Sequence, residues 1–86
     1  MKILITGATG LIGSQIVEDC LKRNIKINFL TTSKRKINSL LNCKGFYWNP
    51  EKNIINLSCF EGVSTIINLS GASIFRLWTK TNKIWV

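Results

Sequence analysis

The sequence predicts an α/β fold: a doubly wound parallel sheet of about four strands in the order 3-2-1-4. Three observations carry this. The apolar run Ile3-Leu4-Ile5 has the character of a strand buried on both faces. Glycines at 7, 10 and 13 then stand where that strand must hand over to a helix. Beyond them, short apolar runs alternate with helical or turn-forming segments, the pattern of parallel strands joined by right-handed crossovers. The 86 residues make one small domain or a piece of a larger one.

Residues 2–6 are the first strand. Residues 11–23 read as a helix, with Ile12, Ile16 and Cys20 on one stripe that Val17 and Leu21 widen. Glu18 and Lys22, and Asp19 and Arg23, form i, i+4 pairs on its outer face, and Asn24 is its stop. Residues 25–31 are the second strand. Residues 34–42 read as a short basic helix carrying Ile37, Leu40 and Leu41 inward. Phe46-Tyr47-Trp48 is the third strand, and Pro50 fits the second position of a type I turn over residues 49–53. Residues 54–57 are a short strand leading into a helical turn. Residues 63–69 are the fourth main strand, Ser70-Gly71-Ala72 is the loop at its end, and residues 78–84 begin a further helix.

Composition narrows the function. Net charge is +8, from 12 basic and 4 acidic residues, which raises nucleic acid as a partner. The cations are dispersed, however, and the one cluster, Lys34-Arg35-Lys36, has no interleaved aromatics. Abundant Lys, Ile and Asn point to compositional drift instead. No apolar run approaches the ~20 residues of a membrane span, and the glycines break any secretory core near the start. Cys20, Cys43 and Cys59 are odd in number and widely spaced, and histidine is absent. That disfavours a structural metal, removes histidine-based triads, and fits reduced, mostly buried thiols in a cytoplasmic protein.

The glycine loop is a cradle for a dinucleotide. Gly7 permits the tight turn out of the strand. Gly10 lets backbone approach a pyrophosphate, and Gly13 lets the helix lie close on the strand. The N–H groups of Leu11 and Ile12 then face the phosphates at the positive end of the helix, and the Thr6 and Thr9 hydroxyls add donors. A purely structural glycine turn is the competing reading. The strand before the loop and the amphipathic helix after it favour the cradle. No Gly-Lys-Ser/Thr follows, which excludes a nucleoside-triphosphatase loop.

The end of the second strand discriminates between cofactors. An acid there suits the ribose of NAD, a base the 2′-phosphate of NADP. The sequence has Thr31-Thr32-Ser33-Lys34-Arg35 and no acid before Glu51. Thr32, Ser33, Lys34 and Arg35 therefore predict NADP, with NAD the other possibility. Alternatively they are solvated residues, with Ser33 capping a helix. The 3-2-1-4 order also brings the glycine loop beside Ser70, Gly71 and Ala72, at the point where the strand order reverses.

Taken together, four stretches resemble the extended short-chain dehydrogenase/reductases, and within them the nucleoside-diphosphate-sugar epimerase-like group. These are residues 1–13, Trp48-Asn49-Pro50, residues 67–74, and Trp78-Thr79 with Lys83-Ile84. The resemblance covers nearly the whole chain. It implies an NAD(P)-dependent enzyme acting on a nucleotide sugar through a Tyr-x-x-x-Lys pair. Here the single tyrosine, Tyr47, is followed four residues on by Glu51, so no catalytic residue carries over. Thr32 stands where the family usually has Arg, Ser64 where an acid is common, and residues 75–78 depart from the family pattern. The resemblance makes the chain the N-terminal, cofactor-holding part of such an enzyme, truncated before its catalytic strand and substrate domain. A complementing C-terminal fragment, or self-association through an open sheet edge, are the expected partners. A stand-alone NADP-binding regulatory module without turnover is the alternative.

Overall fold

Ile3, Leu4 and Ile5 are consecutive and apolar because their strand is covered on both sides. All three are buried in a computed structural model of the chain, which describes residues 1–69. The expected loop at Ser70, Gly71 and Ala72 and the expected helix at residues 78–84 lie outside the described residues.

The elements are β1 (Lys2–Thr6), α1 (Leu11–Lys22), β2 (Lys26–Thr31), a 3-10 turn at Lys34–Lys36, β3 (Lys44–Asn49), β4 (Ile54–Ile55), a second 3-10 turn at Leu57–Phe60, and β5 (Thr65–Asn68). They form one sheet in the order β4-β3-β2-β1-β5. The four parallel strands thus follow the predicted 3-2-1-4 order, with β5 in the place of the fourth. The short β4 adds an antiparallel edge, pairing Ile55 with Trp48 and Ile54 with Asn49. Its reversal comes from the predicted turn, where the Lys52 N–H donates to the Asn49 carbonyl at 3.2 Å and Asn53 takes a left-handed φ of 55°.

Strand alternation divides the core in two. Ile3, Ile5, Ile27 and Phe29 face α1 and meet Val17, with Ile16, Cys20, Leu21, Leu40 and Ile67 packed around them. Leu4, Leu30, Phe46 and Trp48 face the other way and are covered by Cys59, Phe60 and Val63. The stripe predicted for α1 is shifted: Ile12 is 68% exposed, because Gly13 and Val17 are the helix residues that meet the sheet. On the outer face, Glu18 and Lys22 form the ion pair present among the described residues, at 3.6 Å.

The helix stop falls at Asn24, as the sequence predicts, and its geometry is specific. Asn24 takes φ 58°, its N–H donates to Leu21 O at 3.1 Å, and the Ile25 N–H donates to Cys20 O at 3.0 Å. That is the Schellman arrangement, and the Ile25 and Cys20 side chains both pack on the α1-side core beside it.

The helix predicted over residues 34–42 does not form. One 3-10 turn covers Lys34–Lys36, and Leu41, expected inside, is 83% exposed. Three adjacent cations are unfavourable at the positive end of a helix. Further on, the Ser39 hydroxyl donates to Lys36 O at 2.7 Å and Asn42 turns left-handed at φ 63°, both ending local helix. The segment instead presses its backbone onto β3. A Cβ on Gly45 would stand 2.1 Å from the Ile37 carbonyl oxygen, so only glycine fits that crossing.

All three cysteines are free, but only Cys59 is buried; Cys20 and Cys43 are half-buried, against the expectation of mostly buried thiols. Burial pushes the Cys59 thiol up from 9.0 to about 12. The fold accepts the protonated thiol. Its contribution is therefore intact below pH 9 and is lost as pH rises toward 12, at most by about 1.4 kcal/mol per pH unit. Urea unfolding between pH 8 and 11 is expected to show a steeper loss of stability for the natural chain than for Cys59→Ala. Equal slopes would refute this account.

Candidate functional site

The turn out of β1 is built by two glycines that the fold itself requires. Gly7 takes φ 77°, and a Cβ there would stand 3.1 Å from Cβ of Leu69. Gly13 lies under the loop, where a Cβ would come within 2.0 Å of the Gly7 carbonyl oxygen and 2.8 Å of Ala8 Cα. Gly10 differs. Its φ of −76° suits any residue, and a Cβ would meet a single neighbour, Gly7 O at 3.3 Å. The fold makes a weak demand for glycine at position 10, so its bare backbone is better explained by something that must come close.

Gly10 is also the N-cap of α1. It offers no side-chain cap, and no acidic residue lies in the first helical turn. Leu11, Ile12 and Gly13 carry the first-turn N–H groups, which an α-helix cannot satisfy internally. The Leu11 and Ile12 side chains are exposed, so both residues serve the loop through their backbone. Thr9, also exposed, stands at the rim. Thr6 does not. It is fully buried, donates to Asn68 Oδ1 at 2.7 Å and accepts from the Leu69 N–H at 3.0 Å. It clasps β1 to β5 and is not available as the donor that the sequence suggested.

A cleft of about 300 Å³ opens at the carboxyl ends of the strands, lined by Gly7, Thr9, Leu30, Thr31, Thr32, Ser33, Lys36, Trp48 and Pro50. The glycine loop and the end of β2 thus share one cavity. Thr31 shapes its wall, since the Ser33 N–H donates to the Thr31 hydroxyl oxygen at 3.1 Å, while the Ser33 side chain makes no capping hydrogen bond. Of the three clustered cations, Lys36 lines the cleft. Lys34 lies over the Tyr47 ring at 5.1 Å and Arg35 is exposed. Lys36, Trp48, Pro50, Leu30 and Thr31 are not among the cofactor-binding residues that the sequence predicts. The short 3-10 turn brings the third cation of the run, not the first two, back toward β1. Leu69, the residue after β5, abuts Gly7 of the cradle.

Bare backbone at Gly10, an uncapped helix start and a cationic rim fit a dinucleotide phosphate. The sequence profile of the NAD dependent epimerase/dehydratase family matches residues 3–84. The chain belongs to that family. Among its relatives, an epimerase family protein of Staphylococcus saprophyticus is 36% identical over 84 residues, covering 93% of this chain and 26% of that protein. A chloroplastic epimerase family protein of Arabidopsis thaliana is 34% identical, with 92% of this chain and 23% of the relative aligned. The crystal structure of the oxidoreductase ylbE from Lactococcus lactis superposes with a TM-score of 0.60 at 27% identity, over 83% of this chain and 33% of that one. The chain therefore spans about a quarter of the length of the curated family members it matches. The family supports a nicotinamide dinucleotide as cofactor. Among the described residues, no helix is long and apolar enough to cross a membrane and no cluster of His, Cys, Asp or Glu could hold a metal ion.

Proposed function

We propose that this chain is the cofactor-holding part of an epimerase or dehydratase that acts on a nucleotide sugar in the cytoplasm, and that it prefers NADP. The observation that carries the reading is Gly10, the glycine of the loop that ligand approach explains better than packing does. The nicotinamide, when bound, supplies the hydride acceptor of the reaction. The N–H groups of Leu11, Ile12 and Gly13 hold the pyrophosphate, with the Thr9 hydroxyl beside them. Thr32 and Ser33, with Lys36, hold the 2′-phosphate of the adenosine ribose, and Lys34 and Arg35 add positive charge nearby. Ser70, Gly71 and Ala72, next in the sequence after Leu69, are further cofactor-binding residues of this proposal.

The 86 residues alone are incomplete as a catalyst in this proposal. Their single tyrosine, Tyr47, sits under Lys34 with no lysine four positions on. A complementing polypeptide, or a second copy, joins at the β5 edge. In calorimetry, NADP is expected to bind about tenfold or more tighter than NAD, and Lys36→Ala to remove most of that difference, the scale of one charge-assisted hydrogen bond. Binding of neither dinucleotide would overturn the assignment. Turnover of a nucleotide sugar by the purified chain without a partner would overturn the claim of incompleteness.

A further inference from the structure

The amino ends of the strands form a second cleft, remote from the dinucleotide cradle. It has a volume of about 330 Å³ and is lined by Met1, Lys2, Asn24, Lys26, Gly62 and Ser64. Lys2 and Lys26 are direct register partners in β1 and β2, so their side chains leave the same face of the sheet. That face is the one away from α1, since Leu4 and Leu30 continue it into the Trp48 core. Lys44, opposite Asn28 at the start of β3, lies on the same face. Each of the three central parallel strands thus enters the sheet with a lysine on one side.

Like charges opposite each other on a sheet are destabilising. Among the described residues none of the three lysines has a carboxylate within ion-pair distance. Lys2 is half-buried and held in place, its ammonium donating to the Glu61 carbonyl at 3.1 Å. The walls are also fixed. Asn24 and Gly62 are both left-handed, with φ of 58° and 71°, and the Ser64 hydroxyl donates to Lys2 O at 3.2 Å.

We propose that this cleft binds one phosphate group, shared between the Lys2 and Lys26 ammonium groups, supplied as inorganic phosphate or as a small phosphomonoester. The half-buried, anchored Lys2 ammonium and the exposed Lys26 ammonium beside it, at a pocket of this size, match a tetrahedral dianion, and the bound anion relieves the Lys2–Lys26 repulsion through charge-assisted hydrogen bonds. The site is independent of the dinucleotide reading and stands or falls separately from it.

The test is a titration of the ¹⁵N-labelled 86-residue chain with inorganic phosphate, with glycerol phosphate, and with acetate at matched ionic strength. Saturable shifts are expected at the Lys26, Gly62 and Ser64 amides with both phosphates, the tighter of the two naming the source. Lys26→Gln, an exposed position, is expected to weaken binding about tenfold, and Lys2→Gln likewise. Lys36→Gln, in the other cleft, is expected to leave it unchanged. Equal shifts with acetate, no saturation, or equal affinity in Lys26→Gln and the natural chain would each overturn the proposal. NADP shifts at Gly7, Thr9 and Ser33 report the other site in the same spectra.

Discussion

Gly13→Ala is expected to abolish stable folding, while Gly10→Ala leaves the fold standing and removes dinucleotide binding. The two substitutions add the same methyl group three residues apart in one loop. At Gly13 it would meet the Gly7 carbonyl oxygen at 2.0 Å and Ala8 Cα at 2.8 Å. These are backbone atoms, so no rotamer change relieves the clash, and α1 must lift off β1. Overpacking of a well-filled site costs about 1–3 kcal/mol, occasionally more. Lifting the helix also uncovers the buried Val17 and its partners Ile5 and Phe29. A chain of this size has a total stability of roughly 4–13 kcal/mol, so the combined loss is disabling. At Gly10 the methyl meets one oxygen at 3.3 Å, which yields by a few tenths of an ångström. Far-UV circular dichroism and urea unfolding would separate the two variants, and calorimetry with NADP would read the second. Retained cooperative unfolding in Gly13→Ala would show that the helix contact is not what fixes glycine there.

The second large effect is expected at Phe60. The sheet face away from α1 has no long helix over it among the described residues. Its cover is the 3-10 turn Leu57–Phe60, held at its start by the Asn56 side chain, which accepts from the Ser58 N–H at 3.0 Å. Phe60 is 2% exposed and, with Cys59 and Val63, closes the cluster of Leu4, Leu30, Phe46 and Trp48. Truncating it to alanine is expected to cost about 3–5 kcal/mol, the usual range for a buried aromatic. Leu57→Ala in the same turn, at a residue 51% exposed, is expected to fall within about 0.5–1 kcal/mol of the natural chain. Similar losses for both would mean that the turn acts through its backbone and not through the Phe60 ring.

The parts legible in the sequence were those whose physics is local or periodic. β1 shows as an apolar run because both of its faces are covered, and the crossover pattern then predicts the parallel order. Pro50 and the flanking asparagines announced their turn through backbone preference alone. The misreadings share a different cause. Leu41 looked like a core residue on helical spacing, but the Gly45 crossing pulls that segment into a non-helical path. Thr6 looked like a ligand donor until β5 arrived, from far along the chain, to occupy its hydroxyl. Lys36 gives no such signal in the sequence, because the 3-10 turn, not the helix expected there, decides which cation of the run faces the cleft. At Leu41 and Thr6 a tertiary contact overrode a local inference; at Lys36 the local turn geometry did.

The position of β1 sets an order of events in folding. Its first partner, β2, follows after one helix, but Ile3 pairs on its other side with Thr65. Closing a loop of about 60 residues costs roughly 3–4 kcal/mol of chain entropy before any contact compensates it. The β1–α1–β2 unit can therefore assemble early, while β5 docks late. Gly7 faces Leu69 at the end of β5, so the wall of the cradle forms in that late step. Competence to hold a dinucleotide is then expected to arrive with the docking of β5, where stopped-flow NADP binding would detect it.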